Sequence, residues 1–281
     1  MKNILIPTDF SNNAWNALKY AQQLFKNENC NFYLLHISDY LDISEVPIHP
    51  ENRANIIVQQ TVLIKKQLND LLKLVKTSSI NKKHNYHVLH DHDFFIESIK
   101  KHLLEKKISL IVMGTKGASG LRKNIIGSNA GDVITKVQCN ALIIPKGVGF
   151  SKPEEVAFPT DYNIFYSHNI LDAISEILLL NNGNIRVMNV SKTKSDLTQS
   201  QEENKEYLSD FLNERFPKKN SFHTITNKKV TSAIQCFVES REVDMIIMVA
   251  KDLNLLQQVL FDSLVEKVSF HTTVPFFVVH E

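Results

Sequence analysis

The chain contains two copies of one sequence pattern, and this internal repeat constrains the fold more than any other feature. Pro7–Ser11, which reads Pro-Thr-Asp-Phe-Ser, returns at Pro159–Asn163 as Pro-Thr-Asp-Tyr-Asn. Further along, the apolar run that ends at Met113 returns at Met248, and this offset of 135 positions (248 − 113) continues without a gap. Two copies of one domain are the simplest explanation of this self-similarity.

Length and composition agree with two domains. A chain of 281 residues is long enough for two domains of ordinary size, and a hydrophobic fraction of 43% is ample for a packed core in each. We place the first domain at residues 1–146 and the second at residues 154–281. The stretch between them, 147–153, is short and contains both glycine and proline, which is typical of a linker.

Within each copy, short apolar runs alternate with longer amphipathic segments, including one that Ser11 can cap and a long one over Arg53–Val75. Buried apolar strands that alternate with helices predict a parallel sheet. The predicted fold class is therefore α/β, with two repeated domains that each hold a five-stranded parallel sheet and helices on both faces. The strands predicted in the first copy are Ile4–Ile6, Asn31–Ile37, Tyr86–Leu89, Leu110–Met113 and Leu142–Ile144.

The topology of such a sheet predicts where a ligand binds. Ligands lie at the carboxyl ends of the strands, at the point where the strand order reverses. The first strand ends at Pro7-Thr8-Asp9 and the fourth at Met113-Gly114. We expect these two strands to flank the reversal, so that segments far apart in sequence meet at one crevice.

Glycine is concentrated between the fourth strand and the helix that follows it. The chain has eight glycines, and four of them lie here: Gly114, Gly117, Gly120 and Gly127. Glycine permits a positive φ or a close approach to a ligand, whereas a plain turn, the alternative, needs only one or two. Gly127-Ser128 stands where the helix begins, so free N–H groups and the positive end of the helix dipole would face a bound anion. The spacing fits neither the P-loop nor the dinucleotide-binding motif.

The spacing Gly114-x2-Gly117-x9-Gly127-Ser128 resembles the nucleotide-binding signature of the universal stress protein family. Ile4–Ser11 is similar to that family's first strand and turn, Leu34–Ile37 to its second strand and Ala141–Pro145 to its last. The resemblance covers residues 1–146 nearly end to end. It implies a Rossmann-like fold of the adenine-nucleotide α-hydrolase type, with ATP and Mg²⁺ as ligands.

The resemblance also implies roles for residues at the strand ends. Asp9 would face the phosphates and hold Mg²⁺, for which a carboxylate is a suitable ligand. The alternative for Asp9 is an acidic residue that caps the following helix. Ile37 and Met113 would line the adenine slot, a role that is compatible with ordinary places in the core.

The phosphate side of the implied site comes from the glycine-rich stretch. Thr115 and Gly117 would pack near the ribose and phosphates, and Gly127–Asn129 would offer backbone N–H groups and a hydroxyl. In full, the residues implied to contact the nucleotide are Pro7, Thr8, Asp9, Ile37, Met113, Gly114, Thr115, Gly117, Gly127, Ser128 and Asn129.

The second copy departs from this pattern at every glycine of the loop. The counterparts of Gly114, Gly117, Gly120 and Gly127 are, in order, Val249, Asp252, Leu255 and Asp262. Carboxylates placed where phosphate would lie repel it, and β-branched valine does not readily take a positive φ. We therefore expect the second copy to be a structural or regulatory half without ATP.

Charge and cysteine content exclude several classes of protein. The formal charge is +2, from 32 basic and 30 acidic side chains scattered along the chain, whereas a nucleic-acid surface needs a concentrated basic stripe. Three cysteines without paired spacing indicate a reducing compartment. No apolar run approaches a membrane span of about 20 residues, and the N-terminus has no signal-peptide core. We therefore expect a cytoplasmic protein.

A group of histidines and carboxylates precedes the third helix of the first copy. Histidine and carboxylate can bind Zn²⁺, but their spacing here matches no closed structural zinc motif. A strand through this segment would also divide the side chains between two faces. The sequence does not assign a role to this group, whose members are His84, His87, His90, Asp91, His92 and Asp93.

No catalytic residue is assigned, because the sequence shows no Ser-His-Asp order, no paired acid and base carboxylates and no HExxH motif. The favoured function is a stress or energy sensor that changes shape or protein partner with ATP occupancy. Two alternatives stay open: an enzyme that hydrolyses ATP slowly, and a scaffold that binds no nucleotide. Adenylating chemistry is disfavoured because Thr8–Ser11 replaces the Ser-Gly-Gly loop of ATP pyrophosphatases.

The last strands of the two copies, Ala141–Ile144 and Phe276–Val279, are apolar and would lie at sheet edges. An apolar edge must be paired or covered. We expect the two strands to join the copies into an intramolecular pseudo-dimer, as single domains of the family dimerise, with a homodimer of chains left open.

Overall fold

The computed structural model describes residues 1–38, 50–115, 127–191, 197–251 and 274–281, with the backbone alone for 50–57. The helices are α1 (Asn12–Leu24), α2 (Pro50–Ser78), α3 (Phe95–Glu105), α4 (Ser128–Lys136), α5 (His168–Asn181), α6 (Gln199–Arg215) and α7 (Val230–Ser240). The strands are β1 (Lys2–Pro7), β2 (Cys30–Ser38), β3 (His84–His92), β4 (Leu110–Gly114), β5 (Ala141–Ile144), β6 (Glu155–Pro159), β7 (Asn184–Ser191), β8 (Asn220–Thr226), β9 (Met245–Val249) and β10 (Phe276–Val279).

All of these strands belong to one ten-stranded sheet in the order β3-β2-β1-β4-β5-β10-β9-β6-β7-β8. Within each half the neighbouring strands are parallel, and the second half repeats the order of the first. The predicted α/β fold class is confirmed. The order also confirms that β1 and β4 flank the strand reversal.

The two halves meet through their last strands. β5 and β10 pair antiparallel, with Phe276 opposite Ile143 and Phe277 opposite Leu142. The predicted pairing between the copies is therefore confirmed, and it leaves neither of these apolar strands at an open edge.

Side chains alternate between the two faces of the sheet, and each face has its own core. Ile6 and Leu34 belong to a core that also takes in residues of α1, α5 and α6. Leu5 and Leu35, their neighbours along the strands, belong to the opposite core with residues of α3, α4 and α7. Both cores run across the β5–β10 junction, because Phe277 lies in the first and Phe276 in the second.

Local sequence explains where the first helix begins. Ser11 caps α1, since its Oγ accepts a hydrogen bond from the Ala14 N–H at 3.2 Å. The prediction for β3 was too short, because the strand covers nine residues rather than Tyr86–Leu89. The polar residues at its ends belong to the strand because their backbones pair with β2 along the whole length. A pattern of apolar residues in the sequence does not show this pairing.

In the described part of the chain, every helix is too short or too polar to cross a membrane.

Truncation of the phenyl ring at the junction should destabilise both halves together. Phe276 is fully buried, so Phe276→Ala should lower the free energy of unfolding by about 3–5 kcal/mol, measured by urea denaturation. The matched control is Phe94→Ala, whose ring is 61% exposed and whose loss should change stability by about 0.5 kcal/mol or less. Equal effects of the two substitutions would contradict a shared core at the junction.

Candidate functional site

The loop between β1 and α1 holds its shape through short-range hydrogen bonds. Phe10 adopts a left-handed backbone conformation with φ 62°, which is uncommon for a residue other than glycine. The Thr8 hydroxyl accepts a hydrogen bond from the Phe10 N–H at 3.1 Å, and Asp9 Oδ1 accepts one from the Ser11 N–H at 3.0 Å. Asp9 is exposed at the carboxyl edge of the sheet. The loop is thus held in shape by hydrogen bonds between its own residues.

His36, at the end of β2, fixes the same loop from the side. Its Nδ1 lies 2.8 Å from the Thr8 carbonyl oxygen, and since a carbonyl only accepts, Nδ1 carries the hydrogen. The imidazole ring also packs on the ring of Phe10, with 4.7 Å between centroids. Burial lowers the pKa of His36, so the ring is neutral at physiological pH.

The second copy builds the same loop with different side chains. Tyr162 has φ 59°, and its N–H donates to the Thr160 hydroxyl at 3.0 Å. Asp161 Oδ1 accepts from the Asn163 N–H at 2.9 Å. Asn189 takes the place of His36, because its Nδ2 donates to the Thr160 carbonyl at 3.0 Å. Sequence analysis missed His36, although its alignment with Asn189 in the repeat marks both as side-chain donors.

The end of β4 lies beside this loop and carries the next group of predicted residues. Met113 is buried in the same core as Leu5 and Leu35, and Ile37 packs against that core. Ile37 and Met113 therefore lie on one face of the sheet. Thr115 continues the strand direction, with its N–H bonded to the Ile144 carbonyl at 3.0 Å.

Helix α4 starts as the glycine pattern predicts. Gly127 is its N-cap, and the Gly127 N–H donates to the Thr115 carbonyl at 2.5 Å. This bond draws the start of α4 to the end of β4. The N–H groups of Ser128, Asn129 and Ala130 have no acceptor within the helix, so they form an anion-attracting end close to Thr115.

Of the four glycines in this stretch, the structure describes Gly114 and Gly127. Gly127 has φ −60°, so of the two reasons for glycine in this stretch, positive φ and close approach to a ligand, the first does not apply to it. At Gly114, an added Cβ would lie 2.4 Å from Asn13 Nδ2, so glycine lets the first turn of α1 approach β4. Gly117 and Gly120 lie outside the described residues.

In the second copy, the first turn of α5 does not approach β9 in this way. Val249 replaces Gly114 and is 4% exposed, and Asn169, which follows the N-cap of α5 as Asn13 follows that of α1, points to solvent. Beyond β9, the Lys251 ammonium forms an ion pair with the Glu281 carboxylate. Asp252, Leu255 and Asp262 lie outside the described residues.

The histidine group is divided between the two faces of β3, as alternation requires. His90 and His92 lie under α2, where His90 Nε2 is 3.0 Å from Ser38 Oγ and His92 Nε2 is 3.2 Å from Thr61 Oγ1. Burial and the neighbouring His92 lower the pKa of His90 to about 4. His87 lies on the opposite face and stacks on Tyr33. Among the residues that the structure describes, no three histidine, cysteine or acidic side chains are placed to hold a metal ion.

Asp91 has a structural role beside these histidines. Its carboxylate lies 2.9 Å from His102 Nε2 and 2.9 Å from Lys101 Nζ on α3. Burial alone would raise the pKa of Asp91, but the Lys101 hydrogen bond and the charges of His102 and Lys101 outweigh it, so the pKa lies below its usual value. The contacts of Asp91 with Lys101 and His102 hold α3 against the end of β3.

The Asp91 contacts should make stability depend on pH. A carboxyl with a lower pKa in the folded state contributes stability above its unfolded pKa of about 3.9 and loses that stability as the pH falls through the folded value. Asp91→Asn should lower the free energy of unfolding by about 1–3 kcal/mol at pH 7 and flatten its decline at acid pH. Thermal unfolding from pH 7 to pH 2 measures both effects.

The control for this change is Asp132→Asn, which breaks an exposed pair with Lys136 on α4. This substitution should change stability by about 0.5 kcal/mol or less at any pH. An Asp91→Asn profile parallel to that of the wild type would contradict the role of Asp91.

The model of the universal stress protein family matches twice, at residues 1–145 and 158–280. The universal stress protein MJ0531 of Methanocaldococcus jannaschii is 30% identical over 145 residues, which are 52% of this chain and 82% of that protein. Universal stress protein YxiE of Bacillus subtilis is 27% identical over 146 residues, 50% of this chain and 97% of that protein.

A solved structure resembles the whole chain. The crystal structure of a universal stress protein from Archaeoglobus fulgidus superposes with a TM-score of 0.68 and 19% identity, over 99% of this chain and 96% of that one. At this level of identity the likeness supports the fold, and it extends over both halves of the ten-stranded sheet.

Proposed function

This chain belongs to the universal stress protein family, and on that premise we propose that it binds ATP with Mg²⁺ in its first copy and acts as a nucleotide-dependent stress or energy sensor. The observation that carries the proposal is the meeting of the β1–α1 loop, the end of β4 and the start of α4 at one point of the sheet edge. It is the place where sheets of this class bind ligands.

The phosphate side of the proposed site is formed by backbone. The N–H groups at the start of α4, which have no acceptor within the helix, and the Ser128 hydroxyl attract the phosphate oxygens. Thr115 and Gly114 border them at the end of β4, and Pro7–Asp9 faces them from β1. Gly117 completes the proposed set from outside the described residues.

Asp9 is the residue proposed to hold Mg²⁺. Its carboxylate is exposed at the edge, and Oδ1 is already oriented by the Ser11 N–H. A hard oxygen ligand that is fixed by its own loop suits a metal that keeps several waters and bridges to phosphate oxygens. The fit rests on the donor type and on this orientation.

The adenine side of the proposed site is apolar. Ile37 and Met113 share one face of the sheet, and a flat base laid against them would place its edge beside the backbone of the strand ends. Backbone groups provide a fixed pattern of donors and acceptors, which suits recognition of one purine. We assign no catalytic residue to the site.

ATP with Mg²⁺ should therefore bind in preference to GTP. Isothermal titration calorimetry of the purified protein with each nucleotide, with and without Mg²⁺, measures the difference. The nucleotide released from denatured protein, identified by mass spectrometry, provides an independent check. Absence of adenine nucleotide binding at millimolar concentration would favour the nucleotide-free scaffold.

One nucleotide should bind per chain, and Gly127→Asp should weaken its binding. Aspartate is a favourable N-cap residue, so α4 should remain folded, while the carboxylate repels phosphate and displaces a charge-assisted hydrogen bond. We expect affinity to fall by more than about tenfold. Calorimetry gives both the stoichiometry and the affinity.

Two control substitutions separate charge from position. Gly149→Asp adds the same charge in the linker, where an added Cβ meets nothing within 4 Å, and should leave affinity unchanged. Asp262→Gly, the reciprocal change, should create no second site because Val249 still occupies the Gly114 position. A stoichiometry near two, or wild-type affinity in Gly127→Asp, would contradict the asymmetric assignment.

A further inference from the structure

A second pocket lies on the opposite face of the sheet from Ile37 and Met113. It has a volume of about 290 Å³ and lies between the β1–α1 loop, α1 and α2. Its walls include Ile6, Leu34 and Leu71, and Thr8 contributes the hydroxyl group nearest to β1. No charged side chain in the described part of the chain lines it.

In the second copy, the corresponding space is occupied by a side chain of the protein itself. Tyr166 is fully buried and its hydroxyl lies 2.6 Å from the Thr160 hydroxyl. Its ring packs edge-on against Phe158, with 6.0 Å between centroids. Thr160 and Phe158 are the repeat counterparts of Thr8 and Ile6, which line the pocket of the first copy.

The difference arises from the length of one loop. In the first copy, the N-cap Ser11 comes two residues after Asp9, whereas in the second the N-cap Ser167 comes six residues after Asp161. The four additional residues contain Tyr166. The β1–α1 loop of the first copy therefore keeps the threonine and the apolar walls but contains no counterpart of Tyr166.

We propose that this pocket of the first copy binds a small neutral phenol, with its ring against Ile6 and Leu34 and its hydroxyl on Thr8. The Thr8 hydroxyl accepts from the Phe10 N–H, and its hydrogen and second lone pair allow it to donate to or accept from a ligand hydroxyl. Thr160 makes this double use of its hydroxyl, with the Tyr162 N–H and the Tyr166 hydroxyl.

The size and polarity of the pocket agree with this class of ligand. A dry apolar cavity of about 150 Å³ holds benzene, so 290 Å³ accommodates a substituted single ring. An ionised ligand is disfavoured because none of the described residues that line the pocket carries a charge. The proposal does not depend on nucleotide binding, and of the residues proposed for ATP only Thr8 is shared.

Trp15, the single tryptophan of the chain, lines this pocket, so its NMR signal can be used to detect binding there. The probe is 4-methylphenol, the side chain of tyrosine as a free molecule, added to the full-length protein without nucleotide. It should shift the single indole N–H resonance of Trp15 saturably, with a Kd on the order of 1 mM. Toluene, which lacks the hydroxyl, should bind roughly 2- to 10-fold more weakly.

The matched variant fills the pocket without changing its polar groups. Ala14 lines the pocket, and Ala14→Leu should abolish the shift while circular dichroism stays native. If that variant does not fold, Leu71→Phe on α2 tests the same point from the opposite wall. No saturable shift in the wild type, an undiminished shift in the filled variant, or equal affinity for toluene would each overturn the proposal.

Discussion

The antiparallel pairing of β5 with β10 is the contact on which the rest of the structure depends. A five-stranded half by itself would expose an apolar strand with unpaired backbone groups. Pairing the two last strands satisfies those groups and lets both cores run across the junction, as Phe276 and Phe277 show by pointing to opposite faces. β1 and β4, whose carboxyl ends border the candidate site, consequently belong to one continuous sheet that includes both halves.

Loop geometry at the candidate site is set by backbone and by a few short side chains. Thr8 and Asp9 bond to N–H groups two residues ahead, and His36 holds the Thr8 carbonyl from the next strand. The second copy preserves this arrangement although Asn189 replaces the histidine. A side-chain N–H that donates to the threonine carbonyl is therefore common to both loops.

The two copies show how one fold can present different surfaces at the same edge of the sheet. Gly114 allows close approach of Asn13 in the first copy, and its valine counterpart in the second closes that approach. On the other face of the sheet, four added loop residues bring Tyr166 into a space that the first copy leaves open. Both differences change access at a sheet edge without changing strand order, because loops tolerate substitutions and insertions better than the paired strands do.

The sequence by itself determined the repeat, the α/β class, the strand reversal between β1 and β4 and the start of α4 at Ser128, because periodicity, caps and glycine content are local properties of the chain. It also named the edge residues that the fold brings together, from Pro7–Asp9 to Met113–Thr115. Only the tertiary structure decided the length of β3, the roles of His36 and Gly114 and the filling of one pocket by Tyr166. Each of these depends on a partner from another strand or helix, and the sequence pattern around a residue carries no information about which distant group will lie against it.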